Sequence, residues 1–418
     1  MTQALAREGA TMAAESVVAS VPRINIGIFC DNDQTMKTMQ QAAADRRMTR
    51  AHITVQPGGI VGAFQTYSGA LCPNLLIVES HSPRDTILTE LGQLAQVVDP
   101  TTKVIVIGHV NDVILYRELI RQGVSEYFVA PVNMMNVIET VANLYADPKA
   151  KPIGRVLAFV GAKGGVGSST LAHNIGWLIS RTYATDTVIT DLDLAFGTAG
   201  LNFNQEAGMG IADALSSPER VDATLLDRLL TKCNDKLSLL ATSGIVDRDI
   251  HIDVHAVEAV LDVVRHNVPY VVVDVPNVWA PWTKSTLLHA DDVLITVTPD
   301  LASLRNAKNI MDLLRASRPN DQAPRIIINQ VGVAKRPEIP VAEFAKALGA
   351  EPAAVIPYDP QAFGTAASNG QMVAEVAPKS KATEAIDALA RTLAGRDPPT
   401  KAGKFSLGGL AGKMLGKK

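Results

Sequence analysis

The residues best placed to do chemistry lie in the run Gly161-Ala162-Lys163-Gly164-Gly165-Val166-Gly167-Ser168-Ser169-Thr170. An apolar stretch, Arg155 to Val160, precedes it, and Leu171, Ile175, Leu178 and Ile179 follow at helical spacing. Strand, glycine-rich turn and helix are the setting a phosphate-binding loop requires. Glycines let successive backbone N–H groups turn toward one anion, and the helix N-terminus adds partial positive charge. The spacing is close to GxxxxGK(S/T), with Ala162 at the first glycine position and Ser168 at the usual lysine position. The missing lysine would neutralise charge on the β- and γ-phosphates. Ser169 keeps a hydroxyl suited to magnesium, and Thr170 can contact phosphate through its backbone or hydroxyl. Nucleotide binding is therefore better supported than turnover.

Other acids and polar residues stand at the ends of strand-like runs. Thr187–Thr190 leads to Asp191 and Asp193, and Tyr270–Val273 delivers Asp274 toward a magnesium shell. Ile326–Ile328 leads to Asn329, and Ala354–Ile356 leads to Pro357 and Tyr358.

In wording and order this set resembles the deviant P-loop of the MinD/ParA ATPase family, KGGxGK(S/T). Without the second lysine, GAKGGVGSST is most similar to the TadZ/CpaE branch, the pilus-assembly ATPase-like proteins. The resemblance covers roughly residues 153–395. It implies ATP and Mg2+ as cofactors and a nucleotide-sandwiched homodimer in which Lys163 reaches the partner's phosphates. It further implies that Asp193 helps place the attacking water, that Asp191 organises the metal site, and that Asn329, Pro357 and Tyr358 hold adenine. The implied role is localisation of the machinery that assembles tight-adherence (Flp) type IV pili, with pilus secretion components as partners. Two biochemical readings stay open: a slow dimer-switch ATPase, or a nucleotide-binding scaffold with little or no hydrolysis. A ParA/MinD-type partition or cell-division role is the alternative biology. It would need a basic DNA-binding surface, but basic residues here are balanced by acids, so no nucleic acid is expected.

Residues 22–146 alternate strand-like and helix-like segments: Ile24–Phe29, Gln34–Arg46, Leu75–Val78, Val104–Gly108 and Glu126–Val129. Such alternation predicts a parallel sheet flanked by helices. The region resembles the receiver domain of two-component systems and departs from it at the residues that matter. Glu79 stands where the phospho-acceptor Asp is required, Cys30 replaces one of the acidic pair before Asp31, Gly108 replaces Ser/Thr, and Ala130 replaces the lysine before Pro131. Phosphoryl transfer needs that short carboxylate, a divalent cation and the lysine's charge together. The expectation is a degenerate receiver that serves docking or dimerisation.

The predicted fold is thus α/β, two doubly wound parallel-sheet domains in series: receiver-like at 22–146, P-loop MinD/ParA-like at 153–395. Residues 1–21 form a leader without the apolar core of a signal peptide. Residues 147–152, with Pro148 and Pro152, form a linker. Residues 396–418 form a basic tail in which Leu407, Leu410, Ala411 and Met414 share one helical face, suited to an anionic membrane. The 418 residues carry a net charge of −3, which gives no global bias toward nucleic acid. Cys30, Cys72 and Cys233 have no metal-ligand spacing and fit a reducing compartment. No run is long enough to span a membrane. The expected location is cytoplasmic, peripheral to the inner membrane at a cell pole if the tail attaches it. His251 and His255, four apart, read as surface histidines.

Overall fold

In the computed structural model the described residues are 18, 20–146, 153–206, 208, 210–242, 244, 246 and 251–395. The leader up to residue 17, the linker 147–152 and the tail 396–418 lie outside them. The chain divides into two compact units, one taking in residues up to Ile153 with Leu314–Gln322, the other Gly154–Leu313 with residues from Ala323.

The first unit is built on five parallel strands: β1 (Asn25–Cys30), β2 (His52–Pro57), β3 (Leu75–Ser80), β4 (Lys103–Gly108) and β5 (Glu126–Val129). Their order is β2-β1-β3-β4-β5. Side chains of successive strand residues point to opposite faces. Ile26, Ile28, Leu75 and Ile77 therefore join one apolar cluster, while Phe29, Leu76 and Val78 join another. Burial on both faces explains why β3 is a continuous apolar run rather than an alternating one. β2 has no such run; only Ile53 and Val55 alternate with exposed His52 and Thr54. That is an edge strand's pattern, and it gives little signal in sequence. The helix expected over Gln34–Arg46 spans Asp33–Ala43, capped by the Asn32 side chain accepting from Thr35 N, and is followed by a short 3-10 turn, Arg46–Met48.

Among the described residues the second unit holds eight strands: β6 (Arg155–Gly161), β7 (Thr187–Asp191), β8 (Thr231–Asn234), β9 (Leu237–Leu240), β10 (Tyr270–Val275), β11 (Asp292–Val297), β12 (Arg325–Val331) and β13 (Pro352–Pro357). They are ordered β13-β12-β11-β6-β10-β7-β9-β8. β8 runs antiparallel to β9, and the other pairings are parallel. The α/β class with parallel sheets is therefore the one expected. β6 sits mid-sheet, between β11 and β10, so its C-terminal end opens among loops from both sides.

All four sheet edges are short or bounded by proline. β5 and β8 have four residues each, β2 ends in Pro57, and β13 begins with Pro352 and ends with Pro357.

The helix Ser168–Thr182 lies across β6, β7 and β10, burying Leu171, Ala172, Ile175, Leu178 and Ile179. Gly176 permits this approach, because a Cβ there would meet Ile189 Cδ1 at 2.7 Å. His251 precedes the helix Val254–Asn267 while His255 lies in its first turn, and Asp253 caps that helix by accepting from His255 N and Ala256 N. The pair therefore shares no helical face. Replacing Gly176 by Ala should push the helix off the sheet, at a cost of about 1–3 kcal/mol from overpacking. Scanning calorimetry should show a lower Tm, and an unshifted one would mean the contact relaxes freely.

Candidate nucleotide-binding site

The loop after β6 turns on two residues in the left-handed region, Gly165 (φ +78°) and Gly167 (φ +86°). Gly167 N-caps the helix Ser168–Thr182. A side chain at Gly167 would also meet Asn329 Nδ2 at 2.7 Å, so glycine is required there twice over.

Four side-chain amides bind the loop's carbonyls: Asn277 from the loop after β10, Asn306 from the helix Leu301–Ser317, and Asn329 and Gln330 from β12. Asn277 Nδ2 donates to Gly161 O at 2.7 Å, and Asn306 Nδ2 to Ala162 O at 2.8 Å. Gln330 Nε2 donates to Gly165 O at 3.0 Å, and Asn329 Nδ2 to Val166 O at 2.8 Å. A carbonyl drawn outward turns the next N–H of the same peptide plane inward, which is the orientation an anion needs. Ala162 differs: its N–H donates to Thr296 O at 2.9 Å and extends the sheet. Gln330 itself holds φ +55°, a costly conformation for a non-glycine residue.

Beneath the loop, β10 and β7 pair with Asp274 opposite Asp191. Both are buried, and both carboxyls are pushed well above the usual range, first by burial and then by charge: Asp191 on Asp274, Asp193 on Asp191. The Ser169 hydroxyl bonds to Asp274 and works in the opposite direction. Asp191 accepts from Asp193 N at 3.0 Å and Ala199 N at 3.2 Å. Asp193 accepts from Phe196 N at 2.9 Å, so its carboxylate closes a local turn.

Sequence reasoning did not single out His173. It is fully buried, its Nδ1 lies 2.8 Å from Asn202 Nδ2, and its Nε2 lies 3.6 Å from Asp274 Oδ2. Burial pushes the imidazole down to about 4, so it is neutral at physiological pH. The available signal was its position four residues after Ser169, on the same helical face. Ser168 Oγ, His173 Nε2 and Asp274 Oδ1 are buried without hydrogen-bond partners among the described residues. Buried polar atoms of that kind call for a ligand. Two abutting carboxylates beside a serine hydroxyl form an oxygen donor set that suits Mg2+.

Lys163 Nζ pairs with Asp300 Oδ2 at 2.9 Å within this chain. Asp300 stands after the apolar run Leu294–Val297, but no spacing in the sequence paired it with Lys163. Burial alone would raise its carboxyl, but Thr298 Oγ1, Ser303 N and Lys163 together hold it down to about 2.

Gly167, Thr170, Asn329, Pro357 and Tyr358 converge on one cavity of about 350 Å³, with His173 and Phe363 also in its wall. Gly161 and Ala162 line a second cavity of about 480 Å³ with Pro276, Asn277 and half-exposed Trp279. Asn329 is not wholly available to a base, since its Nδ2 holds Val166 O and its Oδ1 accepts from Gln330 N at 2.9 Å.

Fold and site together define an α/β module with a P-loop-like turn at the carboxyl end of β6. Compared with known proteins, the chain is similar to the septum site-determining protein MinD of Helicobacter pylori, 27% identical over 213 residues, 49% of this chain and 78% of that protein. It is similar to a ParA family ATPase from Chlorobium tepidum at 27% identity, covering 56% of this chain and 98% of that one with a TM-score of 0.52. A pilus assembly protein CpaE from Caulobacter crescentus is 46% identical across 98% of its length, 31% of this chain, with a TM-score of 0.30. No family model matches. The chain thus has MinD and ParA ATPases among its relatives and shares their fold.

Replacing Asn329 by Ala should strand Val166 O in the interior at a cost of about 1–3 kcal/mol. Thermal melting should drop and nucleotide affinity should fall with it; unchanged values for both would deny the brace any role. For Asp300, the folded pKa lies below the ordinary 3.8, so its contribution to stability is present above 3.8 and drains as pH falls toward 2. In Lys163→Ala the Asp300 carboxyl carbon shift should titrate at higher pH than in wild type, and an identical midpoint would mean the pair has no energetic weight.

Proposed function

We propose that the chain is an ATP-binding protein that dimerises with ATP and localises the assembly of tight-adherence (Flp) pili, with weak or absent hydrolysis. The observation that carries this reading is the loop Gly161–Thr170, its carbonyls held outward by Asn277, Asn306, Gln330 and Asn329 above buried Asp191 and Asp274. In this reading Ser169, Asp191 and Asp274 hold Mg2+, while the N–H groups from Gly164 to Thr170 hold the phosphates. Pro357 and Tyr358 lie against adenine, and the remaining donor and lone pair of Asn329 meet its edge. Mg2+ held there would neutralise phosphate charge and take the place of the protons that the raised Asp191 and Asp274 carboxyls retain. Lys163 leaves Asp300 for the phosphates of a second copy, and Asp193 leaves its turn to orient water.

Ser168 in place of the lysine supports the low-turnover form and, with the wording of the loop, the pilus specialisation. The domain plan of the proposal is a receiver-like docking module at 22–146, the linker, the ATPase-like module at 153–395, and a tail that meets an anionic membrane. Among the described residues no helix is long and apolar enough to cross a membrane. The MinD likeness favours a second reading, a partition or cell-division positioning ATPase.

Calorimetry of the intact protein should show Mg2+-dependent ATP binding, and sedimentation should show an ATP-dependent dimer that Lys163→Ala reduces without unfolding the monomer. Absence of any nucleotide binding would sink the proposal, whereas phosphate release abolished by Asp193→Ala would select the slow-ATPase form over the scaffold.

A further inference from the structure

We propose that Asp31, Glu79, His81 and His109 form a site for a divalent transition-metal ion of the zinc class at the carboxyl ends of β1, β3 and β4. In open α/β sheets, ligands sit outside the carboxyl ends of the strands where the strand order reverses. Here that point lies between β1 and β3. Asp31 directly follows β1, His81 follows β3, and His109 follows β4, while Glu79 is the penultimate residue of β3.

The donor atoms already converge. One ligand atom each from Glu79, His81 and His109 lies within 4.8 Å of the others. His109 Nε2 is 3.0 Å from Glu79 Oε1, and His81 Nδ1 is 3.9 Å from Asp31 Oδ2. The two imidazoles stack with centroids 3.7 Å apart and planes at 20°. Tetrahedral zinc with bonds of about 2.0–2.1 Å separates neighbouring ligand atoms by about 3.4 Å. Glu79, His81 and His109 are thus within reach of one ion once the stacked imidazoles turn apart, with Asp31 beside His81 to complete the set.

Glu79 is fully buried and fixed in orientation. It accepts from Asp31 N at 2.7 Å, Asn32 N at 3.1 Å, Asn32 Nδ2 at 2.6 Å and Thr35 Oγ1 at 2.7 Å. Outer bonds of this kind orient a ligating carboxylate, and the contact to His109 is the one a metal would replace. The side chains of His81 and His109 are partly exposed, so an ion can enter. Two imidazoles favour zinc-like ions over Mg2+, which takes oxygen donors.

The untagged full-length protein should bind Zn2+ in calorimetry, and one equivalent should weaken at least about tenfold in His81→Ala and in His109→Ala. Added Co2+ should give a visible absorption band that both substitutions remove and that excess Mg2+ leaves in place. His255→Ala, at a histidine outside the cluster, should bind as wild type does. Folding of each variant is checked by circular dichroism. Unchanged Zn2+ affinity in the two folded variants, displacement by Mg2+, or no Co2+ band would overturn the assignment and leave the histidines as charge partners for Asp31 and Glu79.

Discussion

The site depends on where four carbonyl oxygens point. A peptide plane has one N–H and one C=O on opposite sides, so a loop can aim its donors inward only if its acceptors find partners outward. The loop joins β6 to the helix Ser168–Thr182, and its carbonyls bond to side chains rather than to backbone ladders. Asn277, Asn306, Asn329 and Gln330 supply the partners from three separate segments. The loop's shape is thus a property of the whole sheet edge rather than of its own ten residues. Gln330 holds a left-handed backbone to reach Gly165 O, and strain of that kind persists only where the surroundings over-determine it.

The carboxylates below the loop add a second constraint. Asp191 and Asp274 face each other across β7 and β10 in register, and neutral His173 adds no positive charge. Burial and neighbouring negative charge raise both carboxyls, so the pair holds on to protons that a divalent cation would displace. Lys163, the loop's one cation, is turned to Asp300.

The sheet-forming runs were legible because parallel strands buried on both faces read as unbroken apolar stretches, as in Val104–Gly108 and Tyr270–Val273. β2 and the β8–β9 pair were not, since edge strands alternate weakly or run only four residues. The loop and the acids at strand ends were visible because their chemistry depends on local spacing. Its supporters were not: Asn277 and Asn306 reach the loop from more than a hundred residues away, and no local pattern encodes such a contact. His173 is the intermediate case, hidden in an apolar helix face yet in step with Ser169. Asn329 was visible as a polar residue at a strand end, but one of its amide donors serves the loop and its oxygen accepts from Gln330 N.

The proline-bounded and four-residue edge strands bear on how such a chain can gather in quantity. Exposed edges invite strand addition from neighbouring molecules, and short or proline-bearing edges blunt that invitation. Pro352 and Pro357 remove two backbone donors from β13, while β8 breaks register with β9 between Lys232 and Asn234. Fibrous growth by sheet extension is thereby discouraged in both units. Copies crowded at one place would meet through loops and helix faces, which come apart again, rather than through backbone ladders, which tend not to.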